Sequence, residues 1–311
     1  MIVEAAGEAL ADLDDALVVD LYKRHGALLF RGFGADVPQF REFARRFSPT
    51  AVVNESPGRT PIDPQANIQS VDGGAGPFAL HPELSREPWK PDLAMFCCLS
   101  APSRGGQTII CDGVALVREL PAPVRSGLEN RRLLYLNPVW PEMLDFWLGT
   151  PNPSAAQFAA PPPSCPYRFH RMPDGQIARF FTRPVFHKPM FTDAPAFGNF
   201  LLFARFTRGL ADHPLLDDGR AVPEEWLQAI KATGDRLSAE IGWRAGDLVM
   251  LDNSRFMHGR TAITDLGERM IATYFGYVGF AIPDAEEPPN ALWRQRDFAP
   301  PAVPMSLRRR G

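Results

Sequence analysis

The sequence predicts a mainly β protein with flanking helices, organised as one domain over residues 1–311 around a double-stranded β-helix, the jelly-roll or cupin-like core. Three observations carry this expectation. Apolar runs of strand length recur at 27–33, 93–99, 107–111, 247–251 and 270–278. Long irregular segments interleave with them, as jelly rolls allow. The helical patterns lie mainly at the flanks, and no internal repeat is visible.

The elements follow in order. Residues 12–24 carry apolar side chains at Leu13, Ala16, Leu17 and Leu21 and predict a helix. The strand at 27–33 is ended by Gly32 and Gly34. Residues 37–47 are amphipathic, with Phe40, Phe43, Ala44 and Phe47 on one face. The stretch 48–76 is polar and rich in Pro and Gly, with one strand expected at 67–71; a loop of that length belongs to a lid or site mouth. Residues 93–99 and 107–111 read as core strands joined through a turn at 102–106, and 114–120 as a short helix.

Residues 137–175 carry nine prolines, too many for a long regular element. They also carry Trp140, Phe146, Trp147, Phe158, Tyr167 and Phe169, too many aromatics for a solvated linker. The segment is expected to be an insertion arching over the site. A strand is expected at 176–181 and partial helix at 195–210. The clearest helix is 223–241: Pro223 opens its first turn, Glu224 and Glu225 follow, and Leu227, Ile230 and Leu237 face inward. Strands at 247–251 and 270–278 complete the core.

Composition narrows the function classes. The chain has 311 residues, 45% hydrophobic and 22% charged, enough for a large core. A net charge of −3 predicts no general attraction to nucleic acid, and Arg308-Arg309-Arg310 reads as a short solvated tail. Cys97, Cys98, Cys111 and Cys165 lack metal-site spacing; Cys97 and Cys98 sit in an apolar run and read as buried thiols of a reducing compartment. Neither a signal peptide nor a membrane span is evident, so the expected location is cytoplasmic.

The chemistry centres on His81-Pro82-Glu83 and the distant His258. Residues two apart on a strand share a face, so His81 and Glu83 can converge on one ion from a strand end. His258 precedes Gly259, which would let the backbone turn sharply beside a metal. Two imidazoles and one carboxylate take one face of a six-coordinate ion and leave open positions, which favours Fe(II) and O2 chemistry. The competing reading of His81 is a surface-loop histidine, which the local string alone does not exclude. Arg269 opens the apolar run Met270-Ile271-Ala272-Thr273-Tyr274-Phe275 and could hold the far carboxylate of a 2-oxo acid. Arg260 either reaches a carboxylate near the iron or pairs on the surface. Asp252-Asn253 read as turn formers. His170 and His187 read as loop or core histidines, and Arg183 as a weaker candidate for an anionic substrate group.

Taken in order, these residues resemble the TauD/TfdA-like superfamily of Fe(II)/2-oxoglutarate oxygenases, in the branch that carries Glu in its first metal motif, the clavaminate synthase-like and SyrP-like hydroxylases. His81-Pro82-Glu83 resembles the first metal motif. Gly105-Gly106-Gln107-Thr108 resembles the turn whose Thr contacts 2-oxoglutarate. The string from Gly246-Asp247 to Asp252-Asn253, with His258-Gly259-Arg260, resembles the segment of the distal ligand. Arg269 resembles the cosubstrate arginine, and His25 to Phe33 the first strand. Pro82 departs from the Asn often found there, and residues 135–200 match poorly, which leaves the substrate open.

The resemblance implies Fe(II) held by His81, Glu83 and His258, 2-oxoglutarate contacted by Thr108, Arg269 and Arg260, and O2 as oxidant, with succinate and CO2 released. The implied outcome is hydroxylation of an aliphatic C–H in a small amino-acid-type or natural-product intermediate, free or tethered to a carrier protein. Desaturation, epoxidation and cyclisation use the same cofactors. Related halogenases lack the carboxylate, so Glu83 disfavours halogenation. Two other classes compete. A Zn-dependent hydrolase could use the same three side chains, but it gives Arg269 and Thr108 no task and the chain lacks HExxH. A non-catalytic barrel acting as a binding module would have no need of the intact triad.

Overall fold

The computed structural model describes residues 1–304; the tail Arg308-Arg309-Arg310 lies outside them. Two layers, antiparallel except where Ile2–Glu4 runs parallel to Ala27–Arg31, form the centre and face each other without closing into one continuous barrel. The large sheet runs in the order Ile2–Glu4, Ala27–Arg31, Leu248–Asp252, Leu93–Ser100, Met270–Tyr277, Ile68–Ser70, Pro61–Asp63, with Thr50–Ala51 added beside Met270–Tyr277. The small sheet runs Ala239–Ile241, Thr108–Asp112, Phe256–Arg260, Phe78–His81.

Both faces of the large sheet are buried, which explains why its strands read as continuous apolar runs. With period 2, Leu93, Met95 and Cys97 point to one side and Ala94, Phe96 and Cys98 to the other. Leu248 and Met250 alternate with Val249 and Leu251 in the same way. The outer set packs on two helices, Asp15–His25 and Val37–Phe47. The inner set meets Ile241, Phe256 and Ile110 of the small sheet. The outer face of the small sheet, through Leu80, Cys111 and Met257, joins a third apolar layer with the helices Gly113–Glu119 and Glu224–Leu237.

Helix Val37–Phe47 has the predicted bounds and buries the predicted Phe40, Phe43, Ala44 and Phe47. Helix Asp15–His25 turns a different face inward: Val18 and Tyr22 are buried and Leu17 is exposed. The expected helix 223–241 stops at Leu237, after which Ala239–Ile241 becomes an edge strand of the small sheet, and Leu237 is only half-buried. The 48–76 stretch holds three short strands rather than one, and they extend the large sheet at its edge.

The proline-rich segment is more regular than expected. Pro141–Leu148 and Ala155–Ala159 are helices, and a peripheral sheet forms in the order Arg168–Arg171, Ile177–Pro184, Arg132–Pro138, Leu215–Leu216. Pro141 opens a helix, Pro138 ends a strand, and the other prolines lie in connections, where no helical hydrogen bond is lost. Trp140, Trp147, Tyr167 and Phe169 are already buried in the third apolar layer, while Phe146 stays exposed. The segment touches the turn after Glu83: the Tyr167 hydroxyl donates to Glu87 Oε2 at 3.1 Å, and Arg183 Nη2 donates to the Glu87 and Pro88 carbonyls.

Candidate metal and cosubstrate site

Strand pairing explains how two distant histidines meet. Phe256–Arg260 pairs antiparallel with Phe78–His81, and His258 stands opposite His81. Their ring centroids are 4.6 Å apart. The His258 ring also lies 4.9 Å from Phe96 of the large sheet, so the pair sits between the two layers.

Glu83 reaches the same place by another route than expected. The strand ends at His81, and Glu83 lies in the following turn, where Leu84 takes a left-handed φ of +49°. Asn253 sets that turn. Its Oδ1 accepts from the Glu83 N–H at 2.8 Å, and its Nδ2 donates to the Glu83 and Pro91 carbonyls at 3.1 and 2.8 Å. The Asp252-Asn253 turn therefore also shapes the site. Among the described residues, His81, Glu83 and His258 form a group whose ligand atoms all lie within 4.8 Å of one another.

The tautomers suit metal binding. His81 Nδ1 lies 2.8 Å from the Ala79 carbonyl; as the donor there, it leaves Nε2 as a free base. His258 turns Nε2 toward Glu83 Oε2 at 3.7 Å, while its buried Nδ1 has no protein partner. Burial, helped by the neighbouring His258, pushes the His81 imidazole down to about 3, so it is neutral at physiological pH. Burial alone would raise the Glu83 carboxyl, but the Arg59 guanidinium and His258 outweigh it and hold the group below the usual carboxylate range. A neutral imidazole, an ionised carboxylate and a polar atom waiting in a dry site form a donor set that fits a divalent ion.

Beside the triad lies a cation without an anion. In the small sheet Ile110 stands opposite His258 and Thr108 opposite Arg260, so Thr108 is diagonal to His258 on the inner face. Arg269 Nε donates to the Gly106 carbonyl at 2.7 Å and Nη2 to Thr108 Oγ1 at 3.4 Å. Neither partner carries a charge. Burial, with Arg260 nearby, pushes the Arg269 guanidinium down to about 10. Trp243 Nε1 also donates to Thr108 Oγ1, at 3.1 Å, so this hydroxyl accepts twice and keeps its proton to offer elsewhere. Gly106 sits at φ +67°, and a Cβ there would meet Arg269 Cδ at 2.9 Å, so glycine makes room for the guanidinium.

Two expectations need correction. Arg260 is buried and faces neither a carboxylate near the triad nor the surface. It lies over the Phe78 ring at 4.1 Å; Nη1 donates to the Asp72 carbonyl, and Nη2 to those of Gly74 and Gly76, each at 2.8 Å. It is a clamp on the loop before His81. Gly259 makes no sharp turn, since the strand runs through it; a Cβ there would meet the Phe78 carbonyl oxygen at 2.6 Å, and close strand approach is what requires glycine. His187, as expected, is a structural histidine, half-buried, whose Nε2 lies 2.6 Å from the Ser254 carbonyl.

The sequence reading missed Asn54 and Arg59. Asn54 Nδ2 donates to Glu83 Oε1 in a short contact, and Arg59 Nη2 donates to Glu83 Oε2 at 3.2 Å. Both stand in the 48–76 stretch, where a single amide and a single cation have no periodic pattern to mark them. The one signal available was that this stretch runs straight into His81.

The sequence signature of the taurine catabolism dioxygenase TauD, TfdA family matches residues 3–274. No curated protein matches the chain. Among solved structures, a putative alpha-ketoglutarate-dependent taurine dioxygenase from Burkholderia xenovorans is similar at 15% identity with a TM-score of 0.58, over 92% of this chain and 89% of that one. PvcB from Pseudomonas aeruginosa aligns at 15% identity and TM-score 0.56, over 89% and 84%. A putative alpha-ketoglutarate-dependent 2,4-D dioxygenase from Burkholderia xenovorans aligns at 17% and 0.55, over 89% and 93%. With the family signature spanning most of its length, the chain belongs to the TauD/TfdA family, dioxygenases that use Fe(II), 2-oxoglutarate and O2.

Proposed function

We propose that this chain is an Fe(II)- and 2-oxoglutarate-dependent oxygenase that hydroxylates an aliphatic C–H of an amino-acid-type or natural-product intermediate, releasing succinate and CO2. The observation that carries the reading is the juxtaposition of the His81–Glu83–His258 group with Arg269, a half-buried guanidinium with no carboxylate partner among the described residues.

In this reading His81 Nε2, a Glu83 carboxylate oxygen and an imidazole nitrogen of His258 hold the iron. Arg269 takes the distal carboxylate of 2-oxoglutarate, and the Thr108 hydroxyl donates its remaining proton to the same group. When bound, iron and 2-oxoglutarate together supply the oxidising power toward the C–H bond. The chain does the rest. Asn253 fixes the Glu83 turn, and Ala79 fixes the His81 ring. Phe96, packed on His258, and Phe203, packed 4.3 Å from His81, keep water from the metal face. Arg260 holds the 72–76 loop that leads into His81. It is thus a loop clamp, in place of the cosubstrate contact expected from sequence.

A Zn-dependent hydrolase reading leaves Arg269 and Thr108 idle, and the site favours the oxygenase. For the substrate, the Glu-type first motif supports an amino-acid-type intermediate, free or carrier-tethered. The likeness to PvcB, described as an oxygenase of an isonitrile synthetic pathway, is compatible with specialised metabolism. The test is succinate release from 2-oxoglutarate with Fe(II) and ascorbate, screened against amino-acid-type metabolites. Substrate-stimulated succinate supports the proposal, and no succinate under any condition sinks it.

A further inference from the structure

Arg59 has no part in the scheme above, yet it occupies the centre of the site. Its side chain is only 6% exposed and lies over the Phe275 ring at 5.0 Å. Nη1 donates to Thr273 Oγ1 at 3.0 Å and to the Ser70 carbonyl at 3.4 Å. Nη2 donates to Glu83 Oε2 at 3.2 Å. Nε faces Asp72 Oδ2 at 3.3 Å without an aligned hydrogen bond. The decisive detail is which oxygen Arg59 holds. Oε2 is also the atom 3.7 Å from His258 Nε2, on the side where the ligand atoms converge. The other oxygen, Oε1, is taken by Asn54 Nδ2.

We propose that Arg59 is an internal counter-ion that stands in for the metal at Glu83, so that metal loading and the Arg59–Glu83 ion pair compete for one carboxylate oxygen. The inference rests on the metal centre proposed above. A carboxylate as buried as Glu83 must be paired or coordinated, because an isolated charge there is strongly disfavoured. Without metal, Arg59 provides that partner. With metal, the carboxylate has a divalent partner, and the guanidinium becomes a like charge beside it. Arg59 then keeps Asp72, which also accepts from the Ser56 hydroxyl, as its remaining acid. The apo chain is thereby stabilised at the expense of metal affinity.

The experiment uses the full chain stripped of metal, with Mn(II) as a redox-silent probe, and the variants Arg59→Gln and Arg59→Lys. Melting temperature is measured with and without Mn(II), and affinity by calorimetry. Arg59→Gln should melt lower without metal, gain more from Mn(II) than the parent, and bind Mn(II) about tenfold or more tighter, as loss of a like charge nearby implies. Arg59→Lys should restore both values toward the parent. Equal destabilisation with and without Mn(II) at unchanged affinity would make Arg59 purely structural and overturn the proposal, as would weaker Mn(II) binding. If Arg59→Gln does not fold, the double variant Arg59→Gln/Glu83→Gln decides. Removing both charges should restore the metal-free fold, and failure to do so overturns the proposal. His81→Ala separates the two readings. If it binds Mn(II) like the parent, the metal centre is wrong, whereas the metal-free comparison of single and double variants judges the counter-ion independently.

Discussion

Glu83 shows how a single side chain is made fit for a metal. Its backbone is clamped by Asn253, its two oxygens are met by Asn54 and Arg59, and its charge is preserved in a place where burial alone would neutralise it. Replacing either imidazole opposite it should remove the metal, not the fold, since both histidines sit at the end of an established strand pair. His81→Ala and His258→Ala should therefore lose Mn(II) binding in calorimetry and succinate formation, while keeping the parent's circular dichroism. Full activity in either variant would refute the ligand assignment. Arg269 makes a second residue-scale claim. A guanidinium whose protein partners are a carbonyl and a hydroxyl has a charge to give to a ligand. Arg269→Ala should raise the Kd for 2-oxoglutarate by roughly 10- to 100-fold, the worth of a charge-assisted hydrogen bond of about 1.5–3 kcal/mol. Thr108→Val should cost less, about 1 kcal/mol for a neutral donor. Unchanged 2-oxoglutarate binding in Arg269→Ala would leave the arginine a structural role only.

At the scale of elements, the site depends on how tightly the strand Phe256–Arg260 lies against Phe78–His81. Gly259 is the pinch point, because a methyl group there would press on the Phe78 carbonyl oxygen at 2.6 Å. Gly259→Ala should destabilise the chain by about 1–3 kcal/mol, as overpacking does. It should also weaken Mn(II) binding by displacing His258 from its place opposite His81; a variant with parental denaturant midpoint and Mn(II) affinity would contradict this. The 72–76 loop hangs on Arg260 by three carbonyl contacts. Arg260→Ala should speed amide hydrogen exchange across residues 72–76 and leave the helix Val37–Phe47 protected as before; equal exchange in both proteins would deny the clamp. These elements also show what the sequence could tell. Helix Val37–Phe47 and strand Leu93–Ser100 were legible because one long periodic face, or one unbroken apolar run, declares a single burial pattern. The triad was legible because its residue types are chemically rare in combination. Phe256–Arg260 was not legible as a strand, since His, Gly and Arg replace the usual β-branched pattern where the sheet turns to chemistry. The proline-rich segment misled because prolines at helix starts count against a helix in composition but not in structure.

At the scale of the whole molecule, titration follows from how many bases are buried neutral. Among the described residues no helix is long and apolar enough to cross a membrane. Burial pushes His81 and His187 each down to about 3 from an ordinary value near 6.5. Between those values the unfolded chain binds protons that the folded chain refuses. Stability is therefore full above about pH 6.5 and falls as the pH drops toward 3, at about 1.4 kcal/mol per pH unit for each imidazole. Asp252 acts in the opposite sense. Burial raises its carboxyl to about 6 from an ordinary value of 3.8, so the folded chain takes up this proton first. Its contribution is complete below 3.8 and disappears as the pH rises through 6, which offsets one imidazole inside that window. The metal-free chain should thus lose stability on acidification from pH 6.5 to 5, with His81 and His187 as the groups that refuse protons. Removing His187, which is not among the groups proposed to hold metal or cosubstrate, isolates one imidazole. In denaturant titrations at pH 6.5, 6 and 5, His187→Gln should show a slope of stability against pH shallower than the parent's by about 1.4 kcal/mol per pH unit. Parallel slopes would mean that the His187 imidazole is as accessible to protons in the folded chain as in the unfolded one, contrary to its burial against the Ser254 carbonyl.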